Sequence, residues 1–215
     1  MDKSIQKYIA LGSAPYISDY WPVIRESYLK NGYKIIAMNN AWRVCLADCD
    51  EWFIAKDFLE PSPNKNFRAG TCIPTLKEMK QLNVKIMPDK VPGYIHKRGG
   101  SMILHTLYIL LNRAIEADSQ LNVVVTGSDL IYSREKKNHF YKGNRKNPIV
   151  ADLLRKNKPE LVGVNADPLR YGDEWIDSEL KNVLDLYNKE NYGIFVDTPL
   201  EETRLPFTNI SEELK

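Results

Sequence analysis

The sequence predicts an α/β fold: a mostly parallel, Rossmann-like sheet with flanking helices and an irregular basic lid segment. Short apolar runs of strand length alternate with helical segments along the chain, which is typical of parallel sheets with crossover helices. The clearest strand signal is 121–126, a β-branched run that is fully apolar at its centre, as in strands buried on both faces. The clearest helix signal follows Ser101, a capping residue type, with apolar residues at helical spacing from Met102 to Ile115.

Three short apolar runs near the N-terminus are closed by turn residues and are expected to be buried strands, namely 7–11, 33–38 and 51–55. Between the first two, 19–30 has apolar side chains at helical spacing and is stopped by Asn31-Gly32. Pro22 suits the first turn of this helix. The segment 41–47 fits a short helix before the third strand.

The second half of the chain continues this alternation. Residues 74–82 fit a helix and 84–87 a short strand. After the strand at 121–126, an amphipathic helix is expected at 175–187 and a last strand at 192–196, followed by a packed tail.

Length and composition limit the class of protein. The 215 residues fit one domain, 1–215, with a lid or acceptor-binding segment at about 131–172. A net charge of +2 excludes a histone-like basic protein and an acidic disordered tail, while 43% hydrophobic and 27% charged residues are typical of a globular fold. The three cysteines do not suggest a disulfide framework, so a reducing compartment is expected. Without a signal peptide or a run of about 18 apolar residues, the chain is expected to work in the cytoplasm and to have no membrane partner.

Polar and flexible residues follow several predicted strands. In an open parallel sheet, ligands bind outside the carboxyl ends of the strands. Four such ends could build one crevice: Gly12-Ser13, Asn39-Asn40, Lys56-Asp57 and Gly127-Ser128-Asp129. Gly12 would let a ligand approach the backbone and Ser13 could hydrogen-bond it, although a plain strand-to-helix turn is an equal alternative. The turn has neither G-x-G-x-x-G nor a following Gly-Lys-Ser/Thr, which disfavours an NAD-type oxidoreductase and a P-loop protein.

A phosphate site is predicted at the start of the strongest helix. Backbone N–H groups at a helix N-terminus favour an anion, and Gly99 and Gly100 would allow a phosphate to come close. Arg98 and Ser101 would add donors. The alternative is a glycine-containing loop with a capping serine.

The segment Asp48-Cys49-Asp50-Glu51 contains a D-x-D pattern, which can hold Mg²⁺ or Mn²⁺ on a nucleotide diphosphate. It precedes the third predicted strand, at the wrong end for the crevice, so a solvated turn is the favoured interpretation. Cys45 and Cys49 lack a second C-x-x-C or a histidine pair, which argues against zinc. We therefore expect that no metal is required, and a divalent metal on the D-x-D pattern is the alternative.

His139 and a basic segment follow the Asp129 strand end. An imidazole near the crevice could take a proton from an acceptor hydroxyl, and a surface histidine is the alternative. Residues 134–158 hold nine basic against two acidic residues, a net +7, with aromatic residues interleaved. That combination suits a nucleic-acid backbone and its bases, and a solvated loop is the alternative. The basic residues expected to contact nucleic acid are Arg134, Lys136, Lys137, Lys142, Arg145 and Lys146.

The order of these pieces resembles that of the bacterial lipooligosaccharide sialyltransferases, which have a variant GT-A fold. The resemblance runs through separated blocks between residues 7 and 154. Gly12-Ser13-Ala14-Pro15 is similar to that family's G-N-G-P turn, with Ser13 in place of the asparagine. Asn39 is similar to an asparagine that contacts the nucleotide, and Arg98-Gly99-Gly100-Ser101 to an R-x-x-S that handles the donor.

The resemblance continues at the candidate catalytic residues. Gly127-Ser128-Asp129 is similar to a G-I-D strand end that precedes a tyrosine binding the leaving phosphate, which implies that role for Tyr132. The block from His139 to Asn144 resembles H-Y-I-G-H, but Gly143-Asn144 stands where the family has its catalytic histidine. His139, which matches the first histidine, is therefore a substitute base, and Asp129 is a second candidate.

Two further segments, Asp167-Pro168-Leu169-Arg170 and Arg204-Leu205-Pro206-Phe207, are similar to a looser pattern in phage-encoded proteins of this general kind. That resemblance implies hydroxymethylated DNA as an acceptor and a location in the host cytoplasm.

These observations predict a glycosyltransferase that moves a sugar from a UDP- or CMP-linked donor to an acceptor hydroxyl, with a hydroxymethylated pyrimidine in DNA as the favoured acceptor. A sialyltransferase-like enzyme acting on a glycan is one alternative, and a non-catalytic nucleotide- or nucleic-acid-binding protein of the same fold is another. The oligomeric state stays open. The residues expected to bind the donor are Gly12, Ser13, Asn39, Asn40, Arg98, Gly100, Ser101 and Gly127.

Overall fold

The computed structural model describes residues 3–54, 82–87, 91–93, 102–130 and 173–215. Most of the elements in these ranges alternate between strands and helices, as the sequence predicts. In chain order they are β1 (Ile5–Leu11), α1 (Ile17–Lys30), β2 (Lys34–Met38), a 3₁₀ turn (Asn39–Ala41), α2 (Trp42–Cys45), β3 (Cys49–Ile54), β4 (Val84–Ile86), α3 (Met102–Glu116), β5 (Gln120–Thr126), α4 (Asp173–Lys189), β6 (Gly193–Val196) and β7 (Thr208–Asn209).

The seven described strands form one sheet in the order β4-β3-β2-β1-β5-β6-β7, and every neighbouring pair is parallel. This arrangement confirms the predicted Rossmann-like α/β fold. From β1 the chain builds outward in one direction through β2, β3 and β4, and then returns to the other side of β1 with β5. The strand order therefore reverses between β1 and β5, which is where open α/β sheets bind their ligands.

Helices cover both faces of the sheet. Alternate residues of β1 point to opposite faces, so Ile9 and Leu11 pack with α1 while Tyr8 and Ala10 pack on the side of α3 and α4. All four side chains are buried, as expected for a central strand of a parallel sheet.

The boundaries of several elements differ from the sequence prediction. Helix α1 begins two residues earlier than expected, at Ile17, so Pro22 lies beyond its first turn. Strand β3 begins at Cys49 although Asp50 is polar, because the Asp50 carboxylate accepts a hydrogen bond from Ile35 N at 2.6 Å. That bond lies where the register of β2 against β3 shifts, so a side chain completes the ladder there.

Candidate functional site

The turns that follow β1 and β5 lie directly against each other. Leu11 is opposite Thr126 in the last pair of the ladder, and the pairing continues into the turns. Gly12 N donates to Thr126 O at 2.8 Å, and Ala14 N donates to Gly127 O at 2.9 Å. The two strand ends that the sequence predicts for the crevice are therefore joined by backbone hydrogen bonds.

Glycine is required where these turns meet. A Cβ on Gly12 would lie 1.9 Å from Ser128 Oγ and 2.2 Å from Gly127 O, far inside normal contact. Gly127 has a φ of +69°, and a Cβ there would lie 3.0 Å from Gly12 O. The space beside the Gly12 Cα is thus filled by the neighbouring turn. Close packing of the two turns therefore explains why residue 12 is a glycine.

A tyrosine and a carboxylate meet beside this pair of turns. Tyr16, the residue before α1, places its hydroxyl 2.5 Å from Asp129 Oδ2 and donates to it. The same hydroxyl accepts a hydrogen bond from Gly127 N at 3.0 Å. Burial and the negative charge of Asp129 raise the pKa of the Tyr16 phenol, so the phenol stays protonated and remains a donor.

Asp129 keeps one oxygen without a partner. The residue is only 4% exposed, and its Oδ1 is buried and makes no hydrogen bond within the described part of the chain. Buried polar atoms in native proteins are nearly always paired, so an unpaired carboxylate oxygen at a ligand-binding edge points to a bound or reacting group. Thr126 Oγ1, at the end of the same strand, is also buried and unpaired among the described residues.

A second carboxylate, Asp197, follows the neighbouring strand β6. The hydroxyl of Tyr20 donates to Asp197 Oδ1 at 2.7 Å, and that of Tyr28 donates to Oδ2 at 2.6 Å. The ammonium group of Lys215 lies 3.2 Å from Oδ1. Unlike Asp129, Asp197 has partners on both oxygens, which is the pattern of a structural carboxylate.

The two carboxylates are linked through neighbouring aromatic rings on α1. Tyr16 and Tyr20 contact each other edge to face, with ring centroids 5.9 Å apart. Burial, followed by the hydrogen bond to Asp197, raises the pKa of the Tyr20 and Tyr28 phenols. Both phenols therefore remain donors to Asp197 across the ordinary pH range.

The end of β2 brings two predicted residues to the same edge of the sheet. Asn39 has a φ of +48°, and its carbonyl oxygen accepts a hydrogen bond from Trp52 Nε1 at 2.7 Å. Asn40 is buried, and Ser13 on the neighbouring turn is half-buried. The structure thus brings the predicted β1, β2 and β5 strand ends to one edge.

The remaining predicted site residues lie outside the described residues, together with the lid segment 131–172. These are Lys56, Asp57, Arg98, Gly99, Gly100, Ser101, Tyr132, Arg134, Lys136, Lys137, His139, Lys142, Arg145 and Lys146.

Tyr16 and Asp197 are not among the site residues that the sequence predicts. Asp197 directly follows the predicted strand 192–196, so the strand-end rule that selects Asp129 would also have selected it. Tyr16 and Tyr20 are spaced i, i+4 at the start of α1, which places them on one side of the helix. Neither signal reveals that a tyrosine would bond each carboxylate.

The D-x-D segment is engaged by the protein itself. Arg25 bonds the Asp48 carboxylate through Nε at 2.8 Å and through a second nitrogen, which holds the pKa of Asp48 below its usual value. Arg113 bonds both oxygens of Glu51, at 2.9 and 3.0 Å. With Asp50 bonded to the β2 backbone, the segment is a set of structural contacts rather than a solvated turn. Within the described ranges, no group of three or more His, Cys, Asp or Glu side chains could hold a metal ion.

Fold and strand-end geometry define this chain as a Rossmann-like α/β protein with a buried acidic site at the reversal of its strand order. A scan against protein-family models finds no match, and a search of curated proteins finds no relative. None of the helices in the described part of the chain is long and apolar enough to cross a membrane.

Proposed function

We propose that this chain is a glycosyltransferase that moves a sugar from a nucleotide-activated donor to an acceptor hydroxyl. The observation that carries the proposal is Asp129, a buried carboxylate with one oxygen unpaired among the described residues, at the strand-order reversal. A general base has to lie in the ligand-binding crevice and keep an oxygen free for the incoming proton. The resemblance of the sequence blocks to sialyltransferases supports the same class.

The donor would bind across the ends of β1, β2 and β5. The turns around Ser13 and Asn39 lie at this edge. In the proposal, Arg98 and Ser101 bind the phosphate, in keeping with the cationic helix start that the sequence predicts.

The proposed transfer reaction consists of one proton transfer, the formation of one bond and the cleavage of another. The acceptor hydroxyl gives its proton to Asp129 Oδ1, and its oxygen forms a bond to the anomeric carbon of the sugar. The bond from that carbon to the phosphate oxygen breaks, and its electron pair leaves with the nucleotide phosphate. Arg98 and Tyr132 would stabilise the negative charge on the leaving phosphate, because fixed donors do this better than water. His139 is the alternative base.

The favoured acceptor is a hydroxymethylated pyrimidine in DNA, supported by the net +7 of residues 134–158. A glycan is the alternative. Binding to a DNA duplex should weaken steeply as salt rises from low to moderate concentration, because phosphate contacts release counterions. A flat salt response would count against DNA.

The function is tested with a panel of UDP- and CMP-linked sugars. Thermal shift identifies the donor that binds, and nucleotide release with hydroxymethylated DNA or a glycan acceptor measures transfer. The Asp129→Asn variant should bind the donor but lose roughly 10²- to 10⁴-fold in rate, the usual contribution of a general base. Asp197→Asn is the matched control, because it also replaces a buried, tyrosine-bonded carboxylate at a strand end. Equal losses in both variants would contradict Asp129 as the base.

A non-catalytic nucleotide-binding protein is the second candidate, favoured by Gly143-Asn144 at the position where the similar family has its catalytic histidine. It predicts a thermal shift with nucleotide sugars and no nucleotide release from any of them. The same panel therefore separates the two functions.

A further inference from the structure

The Tyr16 hydroxyl has a fixed donor and a fixed acceptor, and the Thr198 hydroxyl is a third hydrogen-bond partner. Gly127 N donates to it at 3.0 Å, and Asp129 Oδ2 lies 2.5 Å away on its other side. A phenol has a single proton to donate. The backbone N–H can only donate and the carboxylate oxygen can only accept, so the Tyr16 proton is directed to Asp129 Oδ2. The Thr198 hydroxyl is then left to donate to the phenol oxygen.

We propose that Tyr16 is a positioning residue that occupies Asp129 Oδ2 and so reserves Oδ1 as the oxygen that receives the acceptor proton. This inference rests on the glycosyltransferase function proposed above. Oδ2 is occupied by the Tyr16 hydroxyl, whereas Oδ1 is buried without a partner among the described residues. The proton leaves the acceptor oxygen, arrives on Oδ1 and makes Asp129 a neutral acid, while the Tyr16 proton stays on its phenol.

The other groups around Asp129 do not take over this role. The main-chain carbonyl of Asp129 accepts a hydrogen bond from Arg204 N at 3.0 Å, while the Arg204 guanidinium pairs with Asp177 at 2.9 Å. From α1, Tyr20 faces Asp197 rather than Asp129, and Asp197 after β6 is neutralised by the Lys215 ammonium. Tyr16 supplies the hydrogen bond to Asp129 Oδ2, at 2.5 Å.

Removal of the Tyr16 hydroxyl has a predictable effect on turnover. Without the hydrogen bond to Oδ2 the Asp129 carboxylate can turn, and Oδ1 is no longer held towards the acceptor hydroxyl. The Tyr16→Phe variant should therefore lose roughly tenfold to a hundredfold in kcat while the KM for the donor stays unchanged. A Tyr16 that only ties the β5 turn to α1 would lower stability without separating kcat from KM in this way.

The experiment compares Tyr16→Phe with Tyr20→Phe in the full chain. Tyr20 is the matched control, because it lies one helical turn away and donates to the other buried carboxylate at 2.7 Å. Both variants lose one hydroxyl of the same kind, so a general loss of stability should affect them alike. The kcat and the donor KM are measured as nucleotide release from the UDP- or CMP-sugar that binds the wild type.

A second readout does not depend on turnover. The short bond to a buried carboxylate should give the Tyr16 hydroxyl proton a downfield, slowly exchanging NMR signal. We expect the signal in the wild type and in Tyr20→Phe, and its loss in Tyr16→Phe and Asp129→Asn.

The outcomes separate the two proposals. A lower kcat at an unchanged donor KM in Tyr16→Phe alone supports the positioning role, and an unchanged kcat in Tyr16→Phe or an equal loss in Tyr20→Phe overturns it. Absence of the Tyr16 hydroxyl signal in the wild type overturns it as well. If no donor is turned over by the wild type while the hydroxyl signal behaves as expected, the glycosyltransferase function fails and the assigned hydrogen bond to Asp129 is supported.

Discussion

Replacement of Gly12 by alanine tests whether the turns after β1 and β5 form one packed unit. The new Cβ would lie 2.2 Å from Gly127 O, and ordinary contact begins at 3.4 Å, so the turns would have to separate by 1.2 Å. Ser128 Oγ could rotate away, but the Gly127 carbonyl belongs to the backbone and cannot. That separation would break the hydrogen bonds from Gly12 N at 2.8 Å and Ala14 N at 2.9 Å.

The expected loss of stability follows from these contacts. Two backbone hydrogen bonds are worth about 2 kcal/mol together, and overpacking of a tight site costs about 1–3 kcal/mol. The free energy of unfolding of Gly12→Ala should therefore fall by about 3–5 kcal/mol.

The assay is urea denaturation followed by tryptophan fluorescence, with Gly32→Ala as the matched control. Gly32 has a φ of +74°, and a Cβ added there would have nothing within 4 Å, so alanine should cost only about 1–2 kcal/mol of backbone strain. Both variants change the unfolded chain in the same way, and the difference between them isolates the contact between the turns. A Gly12→Ala variant that is no less stable than Gly32→Ala would refute the reasoning.

Two further predictions concern ion pairs away from the Asp129 site. Arg25→Gln should lower the urea midpoint at neutral pH, and the difference from the wild type should shrink under acid conditions. The bond to Arg25 lowers the pKa of Asp48 in the folded chain, so the pair stabilises the fold above pH 3.8, the pKa of an unfolded aspartate. That stability is lost as the pH falls through the folded pKa. A deficit that stays constant into strong acid would contradict this assignment. Lys215→Gln should destabilise the chain equally at neutral and mildly alkaline pH. Burial lowers the pKa of Lys215, but the bonds to Glu212 and Asp197 together outweigh it and raise the pKa above 10.5, the value of an unfolded lysine. The stability that the ammonium group contributes is therefore lost only as the pH rises past 10.5 and through the folded pKa. Thermal melts across that range check this, and the absence of a deficit, or one already lost at mildly alkaline pH, would contradict the ion pair.

The alternation of strands and helices could be predicted from the sequence because each element carries a local signal. The buried strand β5 is predicted by its β-branched apolar run, and helix α3 by a capping serine and apolar residues at helical spacing. Strand β7 was not predicted, because its two residues, Thr208 and Asn209, are both exposed and form no apolar run. The early start of β3 was hidden for a similar reason, since Asp50 is polar and its role depends on a hydrogen bond to another strand.

The candidate site could be predicted only in part. The sequence located Gly12 and Asp129 at strand ends, but their contact depends on β5 returning to lie beside β1, which no local pattern encodes. The bond from Tyr16 to Asp129 joins residues that are far apart in the chain, and nothing in the composition of either segment marks them as partners. The proximity of Arg98 to this edge stays a prediction.

The central place of β1 has a consequence for how the protein is made. A ribosome releases β1, β2 and β3 early, yet the second neighbour of β1 is β5, on the order of a hundred residues later. Until that segment emerges, the backbone N–H and C=O groups along one edge of β1 have no strand to pair with, and an unpaired strand edge of this kind recruits other chains. Fragments that end before residue 120 should therefore accumulate as insoluble material, whereas a chain that includes β5 pairs this edge of β1.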